Sequence, residues 1–122
     1  MAPPSEFVTL CRKLSSSFFP QSQTKITDIS VQRSEYTDIL AEVETSKWVD
    51  VILFRYIRST GQVGEFMLRD FHSRIKELKA GRGLCFSAGK FTEGAHAFVE
   101  ARLIDLISKE ELLKRLRALS RR

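Results

Sequence analysis

Gly83-Leu84-Cys85-Phe86-Ser87-Ala88-Gly89-Lys90-Phe91-Thr92-Glu93-Gly94-Ala95 is the stretch that decides the fold class. Leu84 to Ala88 is a short apolar run with Gly83 before it and Gly89 after it. Such a run suits a strand buried on both faces, which is a property of parallel sheet covered by helices. Thr92 stands where a helix needs its N-cap, and Ala95, Phe98 and Val99 follow at helical spacing. A strand that hands over to a helix within a few residues is the building unit of an α/β domain.

Working outward, Leu103 to Ile107 reads as a last strand. Ser108 with Glu111 three residues on is a capping box, opening a helix that carries Leu112, Leu113, Leu116 and Leu119. Before the central stretch, Val63, Met67, Phe71, Ile75 and Leu78 recur at helical spacing, and Gly81 is placed to stop that helix. Ser59-Thr60-Gly61-Gln62 separates the helix from Trp48 to Ile57, a strand rich in β-branched and aromatic residues. Ser46 and Lys47 form a hairpin turn to Thr37 to Glu44, where Asp38, Leu40, Glu42 and Glu44 share one face and Ile39, Ala41 and Val43 the other. Lys25 to Arg33 is a further strand. Phe7, Leu10, Cys11 and Leu14 mark a first helix that follows Pro3 and Pro4, is capped by Ser5, and ends at the serines 15–17 and Pro20. The order α-β-β-β-α-β-α-β-α predicts an α/β domain with a mixed β-sheet flanked by helices.

The chain has 122 residues, 43% of them hydrophobic and 29% charged, which predicts one domain over 1–122 with a core from about 5 to 119. No apolar run approaches the ~20 residues a membrane span needs, so no membrane is expected. The net charge is +5, and Lys114, Arg115, Arg117, Arg121 and Arg122 form a basic tail over 114–122 with no acid in it. The remainder balances 15 bases against 15 acids, yet residues 55–90 hold eight bases and three acids. Cys11 and Cys85 are far apart in apolar settings and read as two buried free thiols of a reducing compartment. Met1 to Ser5 has no secretory character. An intracellular location, cytoplasmic or DNA-associated, is the expectation. Arg12, Lys13 and the serines keep an organellar address open, against which Glu6 stands.

Three stretches together resemble the catalytic domain of Mrr-type restriction endonucleases, within the PD-(D/E)XK nuclease-like fold. Tyr36-Thr37-Asp38-Ile39-Leu40-Ala41-Glu42 is similar to the strand that carries the family's metal-binding aspartate. Val51-Ile52-Leu53-Phe54-Arg55-Tyr56 is similar to the strand that ends in the family's second ligand and lysine. The residues 83–95, continuing into Leu103-Ile104-Asp105-Leu106-Ile107, resemble the family's following strand, helix and strand. The resemblance implies a restriction-endonuclease-like fold and metal-assisted phosphodiester hydrolysis. An Asp and a Glu or Gln would hold a divalent cation, and a Lys two residues past the second ligand would share its face of the strand.

The residues depart from that pattern. Asp38 matches the aspartate, but Leu53 stands at the second-ligand position and offers no oxygen. Arg55 stands at the lysine position, and a guanidinium stays protonated, so it cannot act as a base. Asp38 and Arg55 thus read as a vestigial catalytic pair, expected to face one another with the guanidinium where a cation would sit. No metal or other cofactor is expected. If the domain were active, the ion would be Mg²⁺ held by Asp38 with a migrated carboxylate, Glu65 or Glu42. Glu65 also reads simply as a first-turn acid complementing a helix dipole.

Arg55, Arg58, Arg69, Arg74, Lys76 and Lys90, with Lys79 and Arg82, are the candidates for tracking a nucleic-acid backbone. The alternative is a solvated helix face in which Asp70 pairs with Arg74 at i,i+4. Ser87-Ala88-Gly89-Lys90 is either a phosphate-receiving turn or an ordinary strand-to-helix connection. His72 and His96 lack metal-ligand partners at useful spacing, and Gly61 to Gly64 lacks the Lys-Ser/Thr of a P-loop. The functional expectation is a catalytically degenerate nuclease-fold domain that binds DNA or RNA or serves assembly, with protein partners or a homo-oligomer. Its alternatives are an active metal-dependent endonuclease and a protein-interaction subunit without nucleic-acid contact.

Overall fold

The structure is a computed structural model that describes residues 4–32, 35–58 and 60–120. Pro3, Arg33, Ser59, Arg121 and Arg122, which enter the reading above, lie outside the described residues. The elements are α1 (Pro4–Ser17), β1 (Gln23–Gln32), β2 (Tyr36–Glu44), β3 (Val49–Ile57), α2 (Glu65–Glu77), β4 (Arg82–Ser87), α3 (Glu93–Val99), β5 (Ile104–Ile107) and α4 (Lys109–Ser120). This is the expected order. The five strands form one sheet in the order β1-β2-β3-β4-β5, antiparallel from β1 to β3 and parallel from β3 to β5. Among the described residues no helix is long and apolar enough to cross a membrane.

The period-two alternation divides the core between the two sheet faces. Ile39, Ala41 and Val43 of β2, Ile52, Phe54 and Tyr56 of β3 and Leu84 and Phe86 of β4 pack with Cys11 and Leu14 of α1 and with Leu112 and Leu116 of α4. The other face sets Leu53 and Ile57 of β3, Cys85 of β4 and Ile104 of β5 against Leu68, Phe71 and Ile75 of α2 and Ala95 and Phe98 of α3. Strand β4 is buried from Gly83 to Ser87, as a parallel strand covered on both sides must be.

Several local expectations shift. Helix α1 already includes Pro4, so Ser5 lies in its first turn and not at its cap. Its buried stripe runs through Cys11, Leu14 and Ser15, while Leu10 is exposed. The Ser15 hydroxyl lies 2.7 Å from the Tyr56 hydroxyl, a buried pair that turns this side of the helix inward. Val63 is buried but precedes α2, bridging to Phe91, and Leu68 takes its place in the stripe. Thr92 caps α3 by accepting the Ala95 N–H at 3.1 Å. The Ser108 hydroxyl accepts the Glu111 N–H at 3.4 Å, but the Glu111 carboxylate turns to Arg115 at 3.5 Å, so only half of the capping box forms.

The end of α2 is the clearest correction. Gly81 does not terminate the helix. The left-handed residue is Lys79, at φ 57°, and the Lys79 and Ala80 N–H groups bond back to the carbonyls of Lys76 and Ile75 at 3.1 and 3.0 Å. That is a Schellman closure with lysine where glycine is usual. Gly81 instead permits close approach, since a Cβ there would fall 2.1 Å from Asp50 Oδ1. Lys79→Gly is expected to raise stability by ~1 kcal/mol, because it relieves a left-handed side chain, and urea unfolding measures it.

Both thiols are buried, and burial pushes Cys11 and Cys85 up to about 12 from 9.0, with the charges of Arg58 and Arg55 respectively opposing it. The neutral thiol is favoured in the folded state, so this stability is full below about pH 9 and is lost as pH rises toward 12. The urea midpoint is therefore expected to fall steadily over that alkaline range in the wild type and less steeply in C11A/C85A. An equal fall in both proteins would show that the thiols do not contribute.

Candidate functional site

Antiparallel pairing places Asp38 of β2 directly opposite Arg55 of β3, on the face covered by α2. Arg55 Nε donates to Asp38 Oδ1 at 2.7 Å and Nη2 to Oδ2 at 2.8 Å, a two-pronged match of guanidinium and carboxylate. The pair is buried, with Asp38 4% and Arg55 1% exposed. Arg55 Nη1 also donates to Asp70 Oδ2 of α2 at 2.7 Å and approaches Met67 Sδ at 3.5 Å. The guanidinium lies 3.8 Å above the Tyr36 ring and 5.0 Å from the Phe71 ring. The Tyr36 hydroxyl in turn donates to Asp70 at 3.4 Å.

Burial alone would lower the Arg55 pKa. The hydrogen bonds and charge of Asp38, and then those of Asp70, outweigh it and leave the guanidinium more firmly protonated than usual. Burial raises the Tyr36 hydroxyl, Arg55 opposes it, and the charges of Asp70 and Asp38 add to it. Leu53 lies two residues before Arg55 on the same face and is packed into the apolar cluster of α2 and α3. Both oxygens of Asp38 accept from Arg55, and Leu53 has none. These residues do not fit a divalent cation, which needs several oxygens turned to one point. Among the described residues no three His, Cys, Asp or Glu side chains come together as a metal set.

Of the carboxylates considered as replacement ligands, Glu65 is engaged elsewhere and Glu42 is exposed. Glu65 accepts from Arg69 Nε at 2.6 Å along the first turn of α2. Glu42 is exposed at the β1 side, in register with Lys25. The acid that α2 delivers to the pair is Asp70, which the alternative of a solvated helix face paired with Arg74. Arg74 pairs with Glu77 at 3.2 Å instead. Asp70 and Tyr36 are the members of the site that the sequence reading missed. The one available signal was that Asp70 flanks the buried stripe of Met67 and Phe71, on a helix that must lie over β3.

The proposed nucleic-acid contacts do not form one surface. Arg55 is enclosed and cannot reach a polymer. Arg58 lies over the Phe7 ring at 4.8 Å, and Arg69 and Arg74 are held by Glu65 and Glu77. Lys90 stands beyond the carboxyl ends of β3–β5, lining a 600 Å³ cavity with Gln62, His96 and Lys109, whereas Lys76 is near the opposite edge. The Ser87 hydroxyl accepts the Gly89 N–H at 3.0 Å, and a Cβ on Gly89 would fall 1.9 Å from the Gly61 carbonyl. The turn before α3 is thus closed by its own loop partner.

The family Mrr_cat, a restriction endonuclease family, matches residues 3–116 of this chain. Among solved structures, the DNA modification-dependent restriction endonuclease AspBHI is similar with a TM-score of 0.62 and 15% sequence identity. The match covers 96% of this chain and 32% of that enzyme. No curated protein matches the chain.

Removing one partner of the buried pair leaves an uncompensated charge. Arg55→Met is expected to cost ~3–5 kcal/mol, and the double variant D38L/R55M to recover most of that loss. Asp70→Asn, at the exposed end, should cost no more than ~1 kcal/mol. Urea unfolding of the three variants checks the order. Equal losses for Arg55→Met and Asp70→Asn would show that the guanidinium is held by its solvent-side partner.

Proposed function

This chain belongs to the Mrr_cat restriction endonuclease family, and from that premise we propose that it is a non-cleaving member, a nuclease-fold domain kept as a nucleic-acid-binding module. The observation that carries this reading is the Arg55 guanidinium seated on both oxygens of Asp38. The chemistry implied by the family needs a cation there, a second oxygen ligand on β3, and a base that can lose its proton. Leu53 gives no ligand, and Arg55 remains protonated. Its positive charge would also repel a divalent ion at contact distance. What remains is a scaffold whose hydrolytic centre has become a structural tie.

DNA is the first polymer to consider, because the similar solved enzyme is DNA modification-dependent. Fold does not fix function, so a nuclease scaffold can serve recognition or assembly without a reaction of its own. Plasmid nicking with Mg²⁺ or Mn²⁺ tests the reading. No metal-dependent cleavage is expected, and Asp38→Asn should leave the plasmid as intact as the wild type does. Cleavage by the wild type that disappears in Asp38→Asn would overturn it.

A further inference from the structure

All four helices run opposite to β3, β4 and β5. Phe7 near the start of α1 lies under Arg58, just past the end of β3, while Phe19 beyond its other end packs edge-on to Trp48 at 5.4 Å, just before β3. Helix α2 starts after β3 and leads to Gly81, whose N–H bonds the Val51 carbonyl at 2.8 Å near the start of β3. Helix α3 runs from the end of β4 to the start of β5. Helix α4 follows β5, and Leu119 near its end shares a cavity with Lys13 and Phe19. The first turns with Glu6, Glu65, Glu93, Glu110 and Glu111 therefore gather at the carboxyl edge of the parallel strands, where they complement the positive helix ends.

The opposite, amino edge collects bases. Lys47 is in the β2–β3 turn, Lys76 in the last turn of α2, Lys79 at its left-handed closure, Arg82 at the start of β4, and Arg102 just before β5. Hydrogen bonds hold the strand starts side by side, the Gly83 N–H reaching the Leu103 carbonyl at 2.9 Å. Lys76, Arg102 and Leu103 line one cavity with His72. Among the described residues Lys47, Lys76, Lys79 and Arg82 form no ion pair, whereas Arg55, Arg69, Arg74 and Arg115 all do. Acids are also present. The Asp50 carboxylate accepts the Val51 N–H at 2.8 Å, and Glu77 is taken by Arg74 at 3.2 Å. Glu44 and Glu100 are exposed.

Three exposed apolar residues lie among these bases: Trp48, 36% exposed, Val49, 70%, and Leu103, 69%. Arg82 stands over the Trp48 ring at 6.0 Å. Unpaired cations beside an exposed aromatic ring are the chemistry of a phosphodiester chain with stackable bases.

We propose that this amino rim, and not the cleft over Arg55, receives the phosphodiester backbone of a nucleic acid, with Lys47, Lys76, Lys79 and Arg82 as the phosphate contacts and Trp48 as the base contact. The inference rests on the nucleic-acid-binding reading above and adds where that contact is made. Four phosphate contacts correspond to a slope of log affinity against log salt of about −3.6 on a duplex and about −2.8 on a single strand.

Trp48 is the only tryptophan of the chain, so its fluorescence reports directly from the rim. Titration of the full chain at low salt with a DNA oligonucleotide, single-stranded and as a duplex, is expected to quench or shift that emission. Anisotropy of the labelled oligonucleotide then follows variants whose unfolding midpoints match the wild type. K79E/R82E is expected to weaken binding at least about tenfold and to flatten the salt slope by about 2. K90E/K109E makes the same change in net charge at the carboxyl edge and should weaken binding far less. Wild-type protein that binds neither oligonucleotide would overturn the nucleic-acid reading, and the rim with it. Binding that leaves Trp48 silent and K79E/R82E unaffected would overturn the rim alone. Polyglutamate that displaces the oligonucleotide at equal charge concentration would point to an acidic protein partner and overturn nucleic acid as the occupant of the rim.

Discussion

A guanidinium at 1% exposure must be surrounded by acceptors or the fold cannot hold it. Arg55, carried on β3, meets that constraint through two neighbouring elements: Asp38 from β2, and Asp70 and Met67 from α2. The Asp70 and Met67 contacts tie α2 to the sheet at the solvent-side end of the guanidinium. Tyr36 and Phe71 complete the enclosure with ring faces turned to the charge. The charge at the centre of this face is thus a covalently tethered guanidinium, enclosed by carboxylates and rings.

That pairing links energetics to the geometry of the site. A metal centre must leave a coordination position open for substrate or water. The Asp38–Arg55 fork leaves no oxygen of Asp38 unused, and Leu53 extends the apolar packing beneath it. Charge elsewhere follows the helix direction: acids at the shared positive ends and bases toward the edge where α2 ends. Among the described residues Lys47, Lys76, Lys79 and Arg82 form no ion pair and lie at the amino edge, away from the Asp38–Arg55 pair.

The agreement between sequence pattern and fold is closest where one physical rule dominates. The alternation of β2 and the apolar run of β4 leave few ways to bury their side chains, and both strands lie as expected. Thr92 caps α3 because few other residues place an acceptor over a free N–H. The disagreements fall where two local rules compete. Gly81 looks like a helix stop, but Lys79 accepts the left-handed conformation and Gly81 is held for the close approach of Asp50. Leu10 has the spacing for the core, but the Ser15–Tyr56 hydroxyl pair turns α1 slightly past it. Glu111 has the spacing of a capping box, but an arginine one turn on competes for its carboxylate.

By itself the sequence determined the order of elements, the parity that puts Asp38 and Arg55 on one face, and the loss of an oxygen at Leu53. Each of these depends on residue type and on a spacing within a single strand or helix. Only the tertiary structure decided that Asp70, and not Glu65, comes to the pair, and that the unpaired lysines and Arg82 share an edge. Those outcomes depend on the rotation of α2 about its axis and on the common direction of four helices. Helix rotation is set by packing between elements distant in the chain, which no local spacing encodes.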